Sequence, residues 1–117
     1  MALKSKTARG QLGAATAVLL AANATKTIYV RSVHFKNNSA AMRKVSYAMA
    51  ATATSAGPGI FEEALPPNTS GQLSRMDVHY GGKGHRLDNT AVSGMSDAAA
   101  SVTYEINYDE SDGLDAS

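Results

Sequence analysis

The chain contains no cysteine and no tryptophan, and has only two phenylalanines and three prolines in 117 residues. The first absence removes disulfides, thiolate zinc sites and a cysteine nucleophile together, and leaves the compartment open. An excess of one charge is missing too: eleven Lys and Arg face ten Asp and Glu, a formal net charge of +1. A dedicated nucleic-acid binder neutralises phosphates with a basic face, so this balance argues against that class. No apolar run approaches the roughly 20 residues of a membrane-spanning helix, which argues against a membrane partner. The stretch AATAVLLAA at Ala14–Ala22 follows Lys4, Lys6 and Arg9 and precedes Ala22-Asn23-Ala24, so it has the outline of a secretory leader. It is expected instead to be part of the folded domain.

What the chain does contain is small apolar residues. Hydrophobic residues make up 44% of it, much of that alanine. One domain is expected, burying roughly two-thirds of its unfolded surface. A core of small side chains offers little apolar area per residue, so contacts that bury more surface would help, and a homo-oligomer is the expected source.

The stretch Thr25–Asn38, TKTIYVRSVHFKNN, reads as the central strand, with apolar residues on both sides of the ribbon. Val30 and Val33, three apart, predict a bulge that re-aims half of it. Arg43–Ala50 alternates, with Val45, Tyr47 and Met49 inward, and is expected to form a hairpin with the central strand. Gln11–Leu20, Gln72–Tyr80 and a short piece through Leu87 read as further strands. Ala99–Tyr108 closes the pattern, with Val102, Tyr104, Ile106 and Tyr108 on one face. Ala51–Ser70, with Gly57-Pro58-Gly59 and Pro66-Pro67, reads as a long loop; Gly81-Gly82-Lys83-Gly84 and Ser93–Asp97 read as turns. Short strands between turn signals, without an amphipathic helix, predict an all-β fold: an antiparallel β-sandwich, jelly-roll or immunoglobulin-like, of about six to eight strands.

The charges are unevenly placed. Lys4, Lys6 and Arg9 open the chain without a nearby acid, and Glu105, Asp109, Glu110, Asp112 and Asp115 close it without a base. The expected organisation is a basic arm over residues 1–9, a sandwich over 10–108 and an acidic tail over 109–117. The ends are either solvated tails or docking elements for an oppositely charged neighbour. In the long loop, Phe61 and Leu65 either pin the loop to its own domain or form an apolar contact patch.

Catalytic and metal signatures are weak. His34, His79 and His85 form no short ligand motif. Glu62-Glu63 lie side by side on an extended segment and so point to opposite sides. GGKG lacks the phosphate-loop pattern and the helix that must follow it. No cofactor and no enzymatic activity are expected.

The order of features resembles a class of small β-sandwich virion proteins of tailed bacteriophages. A Thr/Ala-rich strand, ATAVLLAANATK, leads through a Lys turn into YVRSVHFKN, of the type x-V-x-S-V-x-F-x-N. NNSAAMRKVSYAMA, a Pro-bearing EEALPPNTSGQL and the closing AASVTYEINY follow. The resemblance implies a capsid decoration or cement protein on the capsid surface, partnered by the major capsid protein or another virion protein and by its own copies. A neck, collar or tail accessory protein is the alternative. A carbohydrate-binding module at a host-contact tip is a third reading, and would use Tyr29, Tyr80 and Tyr108 as stacking platforms. For the structural readings the candidate partner-binding residues are Lys4, Lys6 and Arg9 in the arm, with Phe61 and Leu65.

Overall fold

The computed structural model describes residues 3–50, 60–68 and 74–113, the side chains of residues 60–62 excepted. Its centre is β3 (Ile28–Asn37), which pairs antiparallel with β9 (Val102–Ser111) on one side and with β6 (Arg75–His79) and β7 (His85–Leu87) on the other. The predicted bulge is present: Val30 lies opposite Tyr108 and Ser32 opposite Asn107, so Arg31 is the extra residue. It shifts the alternation by one, which lets Ile28 and Val30 before it and Val33 and Phe35 after it all reach the core.

The GGKG segment is not a hairpin turn. β6 and β7 run the same way along one edge of β3, and Tyr80–Gly84 is an excursion between them, opposite the bulge. The Tyr80 N–H donates to the Arg31 carbonyl at 2.9 Å, which satisfies a group the bulge exposes. Gly84 returns the chain at φ +100°, where a Cβ would lie 2.4 Å from the Val30 carbonyl oxygen. Only glycine fits there.

β1 (Leu3–Gln11) completes this first sheet in the order β1-β9-β3-β6, with β7 also on β3. β2 (Ala17–Leu20), β4 (Arg43–Ala48), β5 (Ile60–Leu65) and β8 (Val92–Ser96) form the second, in the order β2-β8-β4-β5. The chain is thus an all-β antiparallel sandwich, with nine strands among the described residues where about six to eight were expected. Val30, Val33, Phe35, Val102 and Ile106 from the first sheet meet Leu20, Val45, Tyr47, Leu65 and Val92 from the second. The Phe35 and Tyr47 rings lie 5.2 Å apart, and burial pushes the Tyr47 phenol well above its usual pKa.

Four further expectations are corrected. β4 does not pair with β3; the chain crosses between sheets, and β4 lies between β8 and β5. Part of the expected long loop, Ile60–Leu65, is β5. The Ser93–Asp97 turn is largely β8, an interior strand whose small residues reflect crowding: a Cβ on Gly94 would sit 2.8 Å from Leu19 Cδ1 and 3.3 Å from the Ser46 carbonyl oxygen. The expected strand over Gln11–Leu20 divides into the end of β1 and β2.

Candidate functional site

Register across the first sheet assembles a polar face from residues far apart in sequence. Thr7, Asn107, Ser32 and His79 form one row, and Arg9, Glu105, His34 and Asp77 the next. Their neighbours Ala8, Ile106, Val33 and Phe35 belong to the core or pack on it, so strand alternation sends the rows to the outer face.

Hydrogen bonds run along and between the rows. Thr7 Oγ1 donates to Asn107 Oδ1 at 2.9 Å, and Asn107 Nδ2 donates to Ser32 Oγ at 3.0 Å. Ser32 Oγ lies 2.9 Å from His34 Nε2, and His34 Nδ1 lies 2.5 Å from Asp77 Oδ1. The tautomer that satisfies all three groups donates from Nδ1 to Asp77 and accepts the Ser32 hydroxyl at Nε2. Arg75 grips Asp77 at 3.0 and 3.1 Å, and together with His34 holds its carboxyl below the usual range. The His79 ring stands edge-on to His34, centroids 5.4 Å apart.

Ser32, His34 and Asp77 have the connectivity of a nucleophile, its base and an orienting acid. Acyl transfer also needs donors aimed at a developing oxyanion. Ser32 is 7% exposed in the middle of a strand paired on both sides, and the nearby Asn107 amide already bonds the serine oxygen itself. What the arrangement does is hold protons and side chains fixed across four strands. Among the described residues no group of three or more His, Asp or Glu has metal-binding geometry.

The sequence-predicted partner residues are dispersed. The described part of the basic arm pairs with β9, which includes the start of the acidic tail: the register runs from Leu3 opposite Ser111 to Gln11 opposite Thr103, and Asp115 lies outside the described residues. Lys6 Nζ lies 3.0 Å from Glu110 Oε1, and Arg9 Nε lies 2.7 Å from Glu105 Oε1. Lys26 adds a second cation to Glu110 at 3.3 Å, and the Ser5 hydroxyl donates to Asp109 at 2.8 Å. Hydrogen bonds from Arg9 and Lys6 depress the Glu105 and Glu110 carboxyls, and Glu110 raises the Lys6 ammonium. Lys6 and Arg9 of the arm therefore meet Glu110 and Glu105 within one chain. Lys4 is exposed, opposite Glu110 in the register.

Leu65 is 2% exposed and sits in the core, so it pins its own strand. Phe61 falls in β5 opposite Tyr47, and its side chain lies outside the described residues. Tyr29 is 4% exposed, and Tyr80 and Tyr108 pack against the core, so these three do not form an open stacking platform. Sequence reading weighed His34 only as a metal ligand and passed over Ser32, Asp77 and Asn107. Their one signal is polar residues alternating with core residues on long strands.

Comparison with family models, with curated proteins and with solved structures finds no match in any of the three.

Proposed function

We propose that this chain is a structural subunit of a tailed-bacteriophage virion, acting as a capsid decoration or cement protein that binds the major capsid protein and its own copies. The observation that carries this reading is the outer face of the first sheet. Its polar side chains are fixed by mutual hydrogen bonds from Thr7 through Asn107, Ser32 and His34 to Asp77 before any partner arrives. A surface already ordered in this way loses little side-chain entropy on docking, which suits a subunit laid repeatedly against other proteins. The order of strand patterns in the sequence points the same way. The same surface serves a neck, collar or tail position equally well, and copy number separates the two.

The test is to quantify the chain in purified particles of the phage that encodes it, and to image where it sits. Roughly hundreds of copies on the shell are expected, as repeated capsid symmetry requires. About six or twelve copies would move it to a ring. Its absence from the particle would overturn the proposal.

A further inference from the structure

β1 is held to the domain unlike β3 or β9. Leu3, Lys4, Ser5, Lys6, Thr7, Arg9 and Gln11 are exposed, and only Ala8 and Gly10 are partly covered. The strand buries almost no apolar area, and its attachment is the backbone ladder to β9 with the polar rim pairs beside it. Immediately after it the chain is pinned. Leu12 is 1% exposed in the core, its N–H donates to the Val102 carbonyl at 2.8 Å, and its own carbonyl accepts the Ala100 N–H at 3.3 Å. Gly10 lies just before this pin. A Cβ there would fall 2.8 Å from the Tyr104 hydroxyl oxygen, so glycine lets the Tyr104 ring lie close over the backbone, and it also gives the backbone its freest pivot.

We propose that Leu3–Arg9 is an exchangeable arm that pairs with β9 of a second copy of this chain, in the register it uses on its own β9. The occupant follows from charge. With the arm lifted away, the β9 edge presents Glu105, Asp109 and Glu110, and the strand that matches it carries Lys4, Lys6 and Arg9. Exchange replaces each contact with an identical one, so it costs little beyond the freedom of the second molecule. The closed form dominates in dilute solution because its own β9 stands at an effective concentration of the order of millimolar. Neighbours in a shell offer a comparable local concentration. Fully extended, the seven residues reach about 23 Å at the rise of a β-strand, close to the 26 Å middle dimension of the domain.

The inference rests on the reading of this chain as one copy among many, but its test uses the free protein. Because the chain has no cysteine, Thr7→Cys and Asn107→Cys made as separate full-length proteins provide a clean reporter. These residues are register partners, at a separation a disulfide spans. Mixed under mild oxidation, from micromolar to about 1 mM, they should give a disulfide-linked heterodimer whose yield rises with concentration. Lys4→Cys mixed with Asn107→Cys, three residues out of register, should give far less. Arg9→Cys with Glu105→Cys repeats the test if either first variant is misfolded by circular dichroism. Exchange is overturned if Thr7→Cys/Asn107→Cys in one chain closes internally while the mixture yields no heterodimer at any concentration, or if the out-of-register pair links equally well. Heterodimer formation by a chain missing from virions would sink the proposed function alone, and a shell protein that never exchanges would sink this inference alone.

Discussion

Asn37 ends β3 where the chain crosses from one sheet to the other, and its side chain has no solvent exposure. Its Nδ2 donates toward the carbonyls of Ala41, Pro66 and Leu65 at 2.9, 3.0 and 3.2 Å. Its Oδ1 accepts the Ser39 N–H at 2.9 Å and the Ser39 hydroxyl at 2.8 Å. One amide thus ties the crossover to the exit of β5. Of the three carbonyls it serves, the bond to Leu65 is the fully buried one, while those to Ala41 and Pro66 lie nearer water. A stranded buried acceptor costs about 1–3 kcal/mol and a partly exposed bond about 0.5–1.5, so Asn37→Ala should lose about 3 kcal/mol. That is a large share of the 5–15 kcal/mol typical of a domain.

Asn37→Asp is the sharper perturbation, because it keeps the shape and turns the donor into an oxygen facing three carbonyl oxygens. It should be less stable than the alanine variant at neutral pH. Burial against acceptors raises the folded-state pKa of the new carboxyl, so its deficit should shrink as pH falls through that value and the group becomes neutral. Urea unfolding followed by far-ultraviolet circular dichroism and tyrosine fluorescence measures both. With a slope of about 1–3 kcal/mol per molar urea, the alanine variant should shift its midpoint down by about 1–3 M. A shift below about 0.3 M on the same slope, or an aspartate variant more stable than the alanine one at pH 7, would refute the reasoning.

The remaining predictions concern the bulge and the β1–β9 seam. Gly84→Ala should destabilise by about 3 kcal/mol or more through strain and overlap with Val30, whereas Gly82→Ala, at φ +62° in open space, should lose only about 1–2; equal midpoints for the two would contradict the excursion geometry. Arg9→Glu should loosen β1 at a cost of at most about 1 kcal/mol, since the pair is exposed. Adding Glu105→Arg should restore the difference at low salt, and an additive double variant would remove this pair from the account. Glu105 and Glu110 are depressed when folded, so their contribution is complete above the ordinary glutamate pKa of about 4.3 and fades as pH falls through the lower folded values. Lys6 is raised, so its contribution is complete below about 10.4 and fades as pH rises through the higher folded value. Thermal unfolding should accordingly show a plateau between those limits, and stability that increases from pH 5 to pH 3 would contradict it.

The strands that anchor the core were legible because alternation or a break in it survives in the text. Val30 and Val33 announce the bulge, and Val45, Tyr47, Val102 and Ile106 announce buried faces. β8 was hidden because an interior strand under tight packing uses Ser and Gly, the residues that elsewhere mark turns. β1 was hidden because it has no apolar face, and its partner lies about a hundred residues away by the register that joins Thr7 to Asn107. Pairing at that range leaves no local periodicity to read. The polar face was invisible for the same reason: Ser32 and His34 are neighbours on β3, but Asp77 and Asn107 reach them only through register.

The claim that β1 and β9 lie side by side, one loosely held and one rigid, is tested most directly by residue-resolved amide hydrogen exchange at neutral pH. Amides of Val102–Ser111 that face β3 should belong to the slowest class, while those that face β1 are released whenever β1 opens and should exchange with it. Those of Leu3–Arg9 that face β9 should be slowed relative to an unfolded chain but exchange at least about a hundredfold faster than the β3-facing amides of β9, through local opening. A β1 with no protection at all, or one as slow as the β9 amides that face β3, would contradict the account.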